Sequence, residues 1–403
     1  MMKKKDIKIH GVNGISLSSV HSGMYAKKRL DLSILEISCG SNIAGVFTKN
    51  KAKSPSVIIS SHNINKCCPK YLIVNSGNAN AGTGDEGLKD INKYCKKLSL
   101  AASCKTEEIL VFSTGVIGER IKTDNIIKSI PKLLKNLHTD SWIDFSNSIL
   151  TTDTCNKIIS KKIKVSGKII TITGVAKGSG MIMPNMATML SFVATDIKIG
   201  KVELKKMLKK LTESSYNMIT VDGDTSTNDS SILIATGKSL LSYENLTLKD
   251  KKIFYKCIDG IYKELAKKII YDGEGATKFV TINVKKVNAK KQGKEIAMSI
   301  ANSLLVKTAL FAQDPNWGRI LSAIGNANTN IKNISNITIS LGKILIFKDN
   351  KLYKKYNEKL ASKYLKNKNI EINVVINTGK EETTVWTTDL SYEYIKINAE
   401  YRT

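Results

Sequence analysis

Several stretches of the chain are apolar or β-branched without polar alternation, among them Tyr71-Leu72-Ile73-Val74, Ile109-Leu110-Val111-Phe112 and Thr188-Met189-Leu190-Ser191-Phe192-Val193-Ala194-Thr195. A strand with one wet face alternates, so these runs predict strands buried on both faces. Other segments repeat near 3.6 residues. Leu204, Met207, Leu208 and Leu211 are separated by lysines, and Phe254, Cys257, Ile258, Ile261 and Leu265 share one face, which predicts helices packed along one side. Residues 7 to 60 read as short strands, Ile7 to His10, Ser33 to Ser38, Ile43 to Thr48 and Val57 to Ser60, punctuated by Gly40 and Gly45. A helix is expected from Asp85 to about Leu100, another from about Asp124 interrupted at Pro131, and a third leading into Thr151. Ser166-Gly167-Lys168 between two β-branched runs signals a hairpin. Beyond Thr277 the pattern gives a strand, a helix around Met298 to Leu305, a loop from Asp314 to Arg319, a hairpin across Gly342 and closing strands. Interleaved strands and helices define an α/β class, while the order of the layers does not follow from the pattern.

Composition refines this in three ways. With 403 residues and 42% hydrophobic content, the chain can bury a large core in two or three domains, and no repeat or low-complexity linker is visible. The formal charge of +28 invites a nucleic-acid reading, but the lysines are scattered, as in Lys161-Lys162, Lys209-Lys210 and Lys354-Lys355, with no stripe interleaved with aromatics. A solvated basic surface is expected, with no nucleic-acid partner. The seven cysteines include no CxxC, and the four histidines, His10, His21, His62 and His138, do not group with them, so free thiols and no metal are expected. Met1 to Asp6 is basic without an apolar run behind it, and no segment is long enough to span a bilayer. A soluble cytoplasmic enzyme is the expectation.

Candidate chemistry collects where strands meet Gly-rich loops. In Lys177 to Leu190, Gly178 and Gly180 permit unusual backbone, Pro184 removes a donor, and the Thr188 hydroxyl lies where this loop enters a strand. An internal threonine is a poor nucleophile with no free amine beside it. If its hydroxyl attacks the Ala187 carbonyl, an N-to-O acyl shift and hydrolysis leave a chain starting at Thr188. Its new α-amine, with a reference pKa of about 7.7 to 8.0, can serve as base for its own hydroxyl.

The stretch Lys177 to Leu190 closely resembles the cleavage motif of the ornithine acetyltransferase family, the glutamate N-acetyltransferases of arginine biosynthesis, which cut themselves before the threonine of an Ala-Thr-Met-Leu run. Further blocks resemble the same family in order: Asn75 to Ala81, Ser113 to Gly118, Thr151 to Thr154, Asp222 to Asp229, Asp272 to Gly275, Asp314 to Arg319 and Asn398 to Thr403. The resemblance thus covers essentially the whole chain. It implies a helix-sheet-sheet-helix sandwich like that of N-terminal-nucleophile enzymes, with a smaller carboxyl-terminal α/β domain. It also implies two fragments, 1–187 and 188–403, assembled as a heterotetramer with two copies of each.

By the same resemblance, Thr188 is the nucleophile, Thr114 and Gly115 form the oxyanion pair, and Thr154, Lys177, Thr188, Glu274, Asn398 and Thr403 bind substrate. The implied reaction moves acetyl from N-acetylornithine to glutamate through acetyl-Thr188, with no cofactor. Acetyl-coenzyme A as a second donor stays open, as does an amidase or aminopeptidase in which water replaces glutamate. Met183, Asn156 and Glu400 depart from the family pattern, which bears on substrate positioning and leaves the reaction type intact.

Overall fold

The computed structural model describes residues 8–183, 189–329 and 336–400, which fall into two compact units. Unit 1 holds residues up to Gly178, Pro184–Asn217 and Thr225–Ile269; unit 2 holds Ser179–Met183, Met218–Asp224 and the chain from Ile270 onward.

Among the described residues, unit 1 has nine strands: β1 (Ile15–Val20), β2 (Leu32–Ile37), β3 (Asn42–Phe47), β4 (Tyr71–Asn75), β5 (Ile109–Ser113), β6 (Lys157–Val165), β7 (Lys168–Lys177), β8 (Leu190–Thr195) and β9 (Ser230–Ala235). Its helices are α1 (Pro55–Lys66), α2 (Gly84–Ala101), α3 (Thr123–Lys135), α4 (Trp142–Ser148), α5 (Lys201–Glu213) and α6 (Leu248–Tyr271), the last running two residues into unit 2. The strands make two sheets, ordered β1-β2-β4-β5 and β3-β9-β8-β7-β6. The uninterrupted apolar runs behave as their pattern demands: every residue of β4, β5, β8 and β9 is buried.

Leu72, Val74, Leu110 and Phe112 of the first sheet share a core with Val175, Leu190, Phe192 and Ile232 of the second. Phe192 lies edge-on to both Phe112 and Phe145, at 5.0 and 5.4 Å between centroids, and truncating such a ring costs roughly 3–5 kcal/mol. On the far side of the first sheet, Ile73 and Val111 meet Ile91, Tyr94 and Leu98 of α2 and Ile126 and Ile130 of α3. The second sheet carries α5 against β3 and β9, and Leu265 of α6 lies against Gly174 of β7. The layers therefore run helix, sheet, sheet, helix, as the resemblance implies.

Unit 2 is a six-stranded sheet ordered β13-β12-β11-β14-β10-β15, with β10 (Phe279–Val287), β11 (Thr338–Leu341), β12 (Ile344–Lys348), β13 (Lys351–Leu352), β14 (Asn369–Val375) and β15 (Glu381–Thr388). Its helices are α7 (Lys290–Asn302), α8 (Leu304–Phe311), α9 (Trp317–Gly325), α10 (Glu358–Leu365) and α11 (Tyr392–Ala399). Here the strands alternate. Val280, Ile282 and Val284 join Ile370, Ile372 and Val374 in one core with residues from α7 to α10, while Asn283 and Asn373 hydrogen-bond on the opposite face at 2.9 Å.

Four local expectations change. Val57 to Ser60 lies in helix α1, which Ser54 caps by accepting the Val57 N–H and which Pro55 opens. Helix α3 continues through Pro131, held by buried Ile126, Ile130 and Leu133. The helix expected around Met298 to Leu305 is two helices, because Ser303 caps α8 by accepting the Val306 N–H. Lys8 to His10 form no strand; His10 instead bonds through side chains, its N–H to Ser160 Oγ and its carbonyl from Thr173 Oγ1.

Candidate active site

Strand β5 ends at Ser113 and delivers Thr114 and Gly115 into a turn beside the Asn-rich loop that follows β4. That loop is held by its own amides. Asn75 Nδ2 donates to the Asn78 carbonyl at 2.8 Å, Asn78 Nδ2 to the Glu119 carbonyl at 3.1 Å, and the Asn80 N–H to Asn78 Oδ1 at 2.7 Å. The free edge of β5 is covered by helix α1, whose side chains act in place of a neighbouring strand: Ser60 Oγ bonds both the Val111 N–H and carbonyl at 2.7 Å, Asn63 Nδ2 donates to the Ile109 carbonyl, and Ser56 meets Ser113.

Gly115 has φ +133°, and a Cβ there would stand 2.3 Å from the Gly77 carbonyl carbon. Only glycine satisfies both the dihedral and the approach. Thr114, at 9% exposure, makes no side-chain hydrogen bond with any described residue, leaving its hydroxyl available as a donor.

Lys177, the last residue of β7, is buried and donates to Thr151 Oγ1 at 3.0 Å. Between it and Lys157 lies Asp153, whose side chain is fully buried; Lys157 Nζ reaches Asp153 Oδ1 at 2.5 Å, and the Gly178 N–H donates to the same oxygen at 2.8 Å. Burial alone would raise this carboxyl, but the charges of Lys157 and Lys177 and the Gly178 N–H hold it well below the usual carboxylate range. Thr154 follows Asp153 and is exposed. Asp153 and Lys157 were not singled out from the sequence; the signal was an acidic residue inside the Thr151 to Thr154 block.

In unit 2, Asn398 near the end of α11 donates to Glu274 Oε2 at 3.0 Å. Ser391 caps this helix and donates to the Gly275 carbonyl at 2.6 Å, so the cap also ties α11 to the loop carrying Glu274. Gly180 leaves room for the Glu274 carboxylate: a Cβ would lie 2.1 Å from Oε2. Asp222 anchors the same segment, accepting the Met181 and Ile182 N–H groups at 2.6 and 2.8 Å. Burial, with the adjacent Asp222 charge, raises the Tyr394 phenol, which donates to Asp222 at 3.3 Å.

Of the three departures from the family pattern, Met183 takes a hydrogen bond on sulfur from Asn302, Asn156 donates to Asn147, and Glu400 ends α11. Ala187, Thr188 and Thr403 lie outside the described residues. Among the described residues no histidine, cysteine and carboxylate group forms a metal-binding cluster, and no helix is long and apolar enough to cross a membrane.

Stacked sheets jacketed by helices, with polar side chains gathered where strands end, define a layered α/β enzyme. The ArgJ family model matches residues 16–403, and the chain belongs to that family. It is similar to the arginine biosynthesis bifunctional protein ArgJ of Colwellia psychrerythraea, at 41% identity over 97% of this chain and 96% of the relative. The protein of the same name from Psychrobacter arcticus is also 41% identical, covering 98% of this chain and 97% of that one. Among solved structures, an ArgJ from Bacillus halodurans is 37% identical over 51% of this chain and 96% of its own, with a TM-score of 0.48.

Proposed function

We propose that this chain is a self-cleaving acetyltransferase of arginine biosynthesis that moves acetyl from N-acetylornithine to glutamate. The observation that carries the reading is the ArgJ-family match across residues 16–403, within which all the polar blocks fall. Cleavage between Ala187 and Thr188 frees the amine that activates the Thr188 hydroxyl. That hydroxyl attacks the acetyl carbonyl of the donor, and ornithine leaves with the proton the amine has taken up. The glutamate amine then attacks the acetyl ester, the bond to the Thr188 oxygen breaks, the hydroxyl regains a proton given up by the attacking amine, and N-acetylglutamate leaves. The Thr114 hydroxyl and Gly115 N–H stabilise the oxyanion in both steps, where one such donor contributes roughly 3 kcal/mol.

In unit 1, Lys177 takes a substrate carboxylate and Thr154 a polar group; in unit 2, Glu274, steadied by Asn398, takes the ornithine ammonium. Thr403 completes the substrate-binding set. No cofactor takes part. The second sheet supports survival of the fold after cleavage, since β3, β6 and β7 precede residue 187 whereas β8 and β9 follow it. Two copies of each fragment form the working unit, in the cytoplasm, in keeping with cysteines that include no CxxC.

Intact mass tests cleavage: two fragments parting at Ala187 and Thr188 are expected, with Thr188→Ala uncleaved and inactive and Thr188→Ser retaining some of each. A single full-length chain in fully active enzyme would refute the nucleophile. Ping-pong kinetics, with ornithine release slow alone and accelerated by glutamate, test transfer; acetate as main product at saturating glutamate would leave the amidase reading. The word bifunctional in the relatives' name favours acetyl-coenzyme A as an additional donor. N-acetylglutamate made from acetyl-coenzyme A and glutamate alone would establish it.

A further inference from the structure

Asn228 stands just before β9 and is 7% exposed. Its side-chain amide makes three hydrogen bonds. Nδ2 donates to the Ala79 carbonyl at 2.6 Å and to the Ser113 carbonyl at 3.0 Å, and Oδ1 accepts the Thr227 hydroxyl at 2.5 Å. Two carbonyls can be served only by the NH2 end, so the amide's orientation is chemically fixed, and Thr227 occupies the other end. The two carbonyls belong to the two loops that meet at the Thr114–Gly115 turn: Ser113 directly precedes Thr114, and Ala79 lies in the Asn75 to Ala81 loop against which Gly115 packs.

Strand β9 pairs in parallel with β8 from Leu190 opposite Ser230. Asn228 precedes that first pair by two residues. One amide thus joins the sheet of β8 and β9 to the turn carrying the predicted donors. Thr48 and Ser54 hold the backbone around it, the Thr48 N–H on the Asp229 carbonyl and the Ser54 N–H on the Thr227 carbonyl, both at 3.0 Å.

We infer that Asn228 is a positioning residue for acyl transfer, setting the Thr114 and Gly115 donors relative to the sheet of β8 and β9 through the Ser113 and Ala79 carbonyls. This rests on the oxyanion reading of Thr114 and Gly115. Because an oxyanion forms when Thr188 is acetylated and again when it is deacetylated, Asn228 acts on both half-reactions and leaves substrate affinity nearly alone. A donor misplaced by a fraction of an ångström loses part of its effect, whereas outright removal of one costs about 10²- to 10³-fold.

The test measures both half-reactions for Asn228→Ala and Thr227→Val, alone and with Thr114→Val, rates being normalised to the cleaved enzyme found by intact mass. Asn228→Ala should lower kcat about 10- to 100-fold in each half-reaction, with KM for donor and acceptor changed less than about threefold. Thr227→Val, which removes a single hydroxyl from a half-buried side chain, should lower kcat about 3- to 10-fold, and it decides the matter if the alanine variant does not fold. In the Thr114→Val background each loss should shrink markedly, as coupled residues require. Full additivity, a loss confined to KM, or an unchanged kcat for Thr227→Val would overturn the role of Asn228 while the oxyanion pair stands. If Thr114→Val by itself leaves kcat intact, the oxyanion reading falls, and the inference with it.

Discussion

The most deeply buried lysine of each unit among the described residues, Lys157 in one and Lys307 in the other, is kept in a different way. Lys157 in unit 1 is fully buried and reaches a carboxylate, Asp153, at 2.5 Å. Lys307 in unit 2, 2% exposed, is met by neutral oxygens: Thr387 Oγ1 at 3.0 Å, the Thr388 carbonyl at 2.5 Å and Thr388 Oγ1 at 3.3 Å. Its acids, Asp389 and Asp222, act only through space, and burial wins, bringing the ammonium down to about 7. Asp389 is itself occupied by the Thr277 and Lys278 N–H groups at 2.9 and 3.0 Å and by the Thr277 hydroxyl. A buried cation with a contacting anion is thus part of a fixed charge cluster beside Lys177, whereas one solvated by hydroxyls gives up its proton near neutrality.

The largest expected effect comes from removing the anion of the first arrangement. Asp153→Ala leaves Lys157 buried without this contacting carboxylate, strips the Gly178 N–H of the Asp153 acceptor and takes an opposite charge from Lys177. A loss of about 3–5 kcal/mol of stability is expected, read from the denaturant midpoint. The carboxylate's depressed pKa gives the same site a pH signature: its contribution is complete above the ordinary carboxylate range and is lost as pH falls through that range and below it. The wild type should therefore lose stability in acid faster than the alanine variant. Equal acid sensitivity would remove Asp153 from the account.

Neither lysine was singled out from the sequence. In a chain with 63 Lys and Arg residues a lysine is expected to be solvated, although Lys307 stands as the one charge between Ile296 and Gln313. What could be read was local: β4, β5 and β8 announce themselves by apolar runs. Helix α1 was misread because Val57 to Ser60 is β-branched and short, although Ser54-Pro55 held the capping signal. Layer order and the grip of Asn228 depend on pairing between distant segments, such as β3 with β9, which no local pattern records. Candidate site residues were drawn from family blocks, whereas the neighbours that hold them, Asp153 for Lys177 and Ser391 for the Glu274 loop, emerged only from the packing.

Replacing the lysines themselves sharpens the contrast at a smaller scale. Lys157→Met leaves the buried Asp153 carboxylate with Lys177 and backbone N–H groups only, and should cost about 3 kcal/mol. Lys307→Met removes a charge that burial already disfavours and should cost less than about 1 kcal/mol at pH 6. The sign with pH is set by the depressed ammonium. Between about pH 7 and 10 the unfolded chain holds a proton that the folded one has released, so wild-type stability rises with pH across that window. The methionine variant lacks this rise, and its deficit should widen from pH 6 to pH 9. A constant difference would mean that Lys307 stays charged in its threonine cage.

The smallest effect belongs to one of the cage hydroxyls. Thr387 Oγ1 accepts from Lys307 at 3.0 Å and donates to the Ala301 carbonyl at 3.3 Å, so Thr387→Val removes one pH-sensitive bond and one that is not. A hydrogen bond to a charged group contributes about 1.5–3 kcal/mol and one between neutral groups about 0.5–1.5. Below pH 7, where Lys307 is an ammonium, the hydroxyl serves a charge. Above it the same oxygen accepts from a neutral amine. The stability difference between wild type and Thr387→Val should therefore fall by about 1 kcal/mol from pH 6 to pH 9, opposite in direction to the trend for Lys307→Met. Deacylation and acylation rates should not follow it, since neither threonine nor lysine belongs to the proposed site. If the valine variant's deficit instead stays level with pH, the cation is held by Asp389 and Asp222 through space, and the hydroxyls serve only the neighbouring backbone.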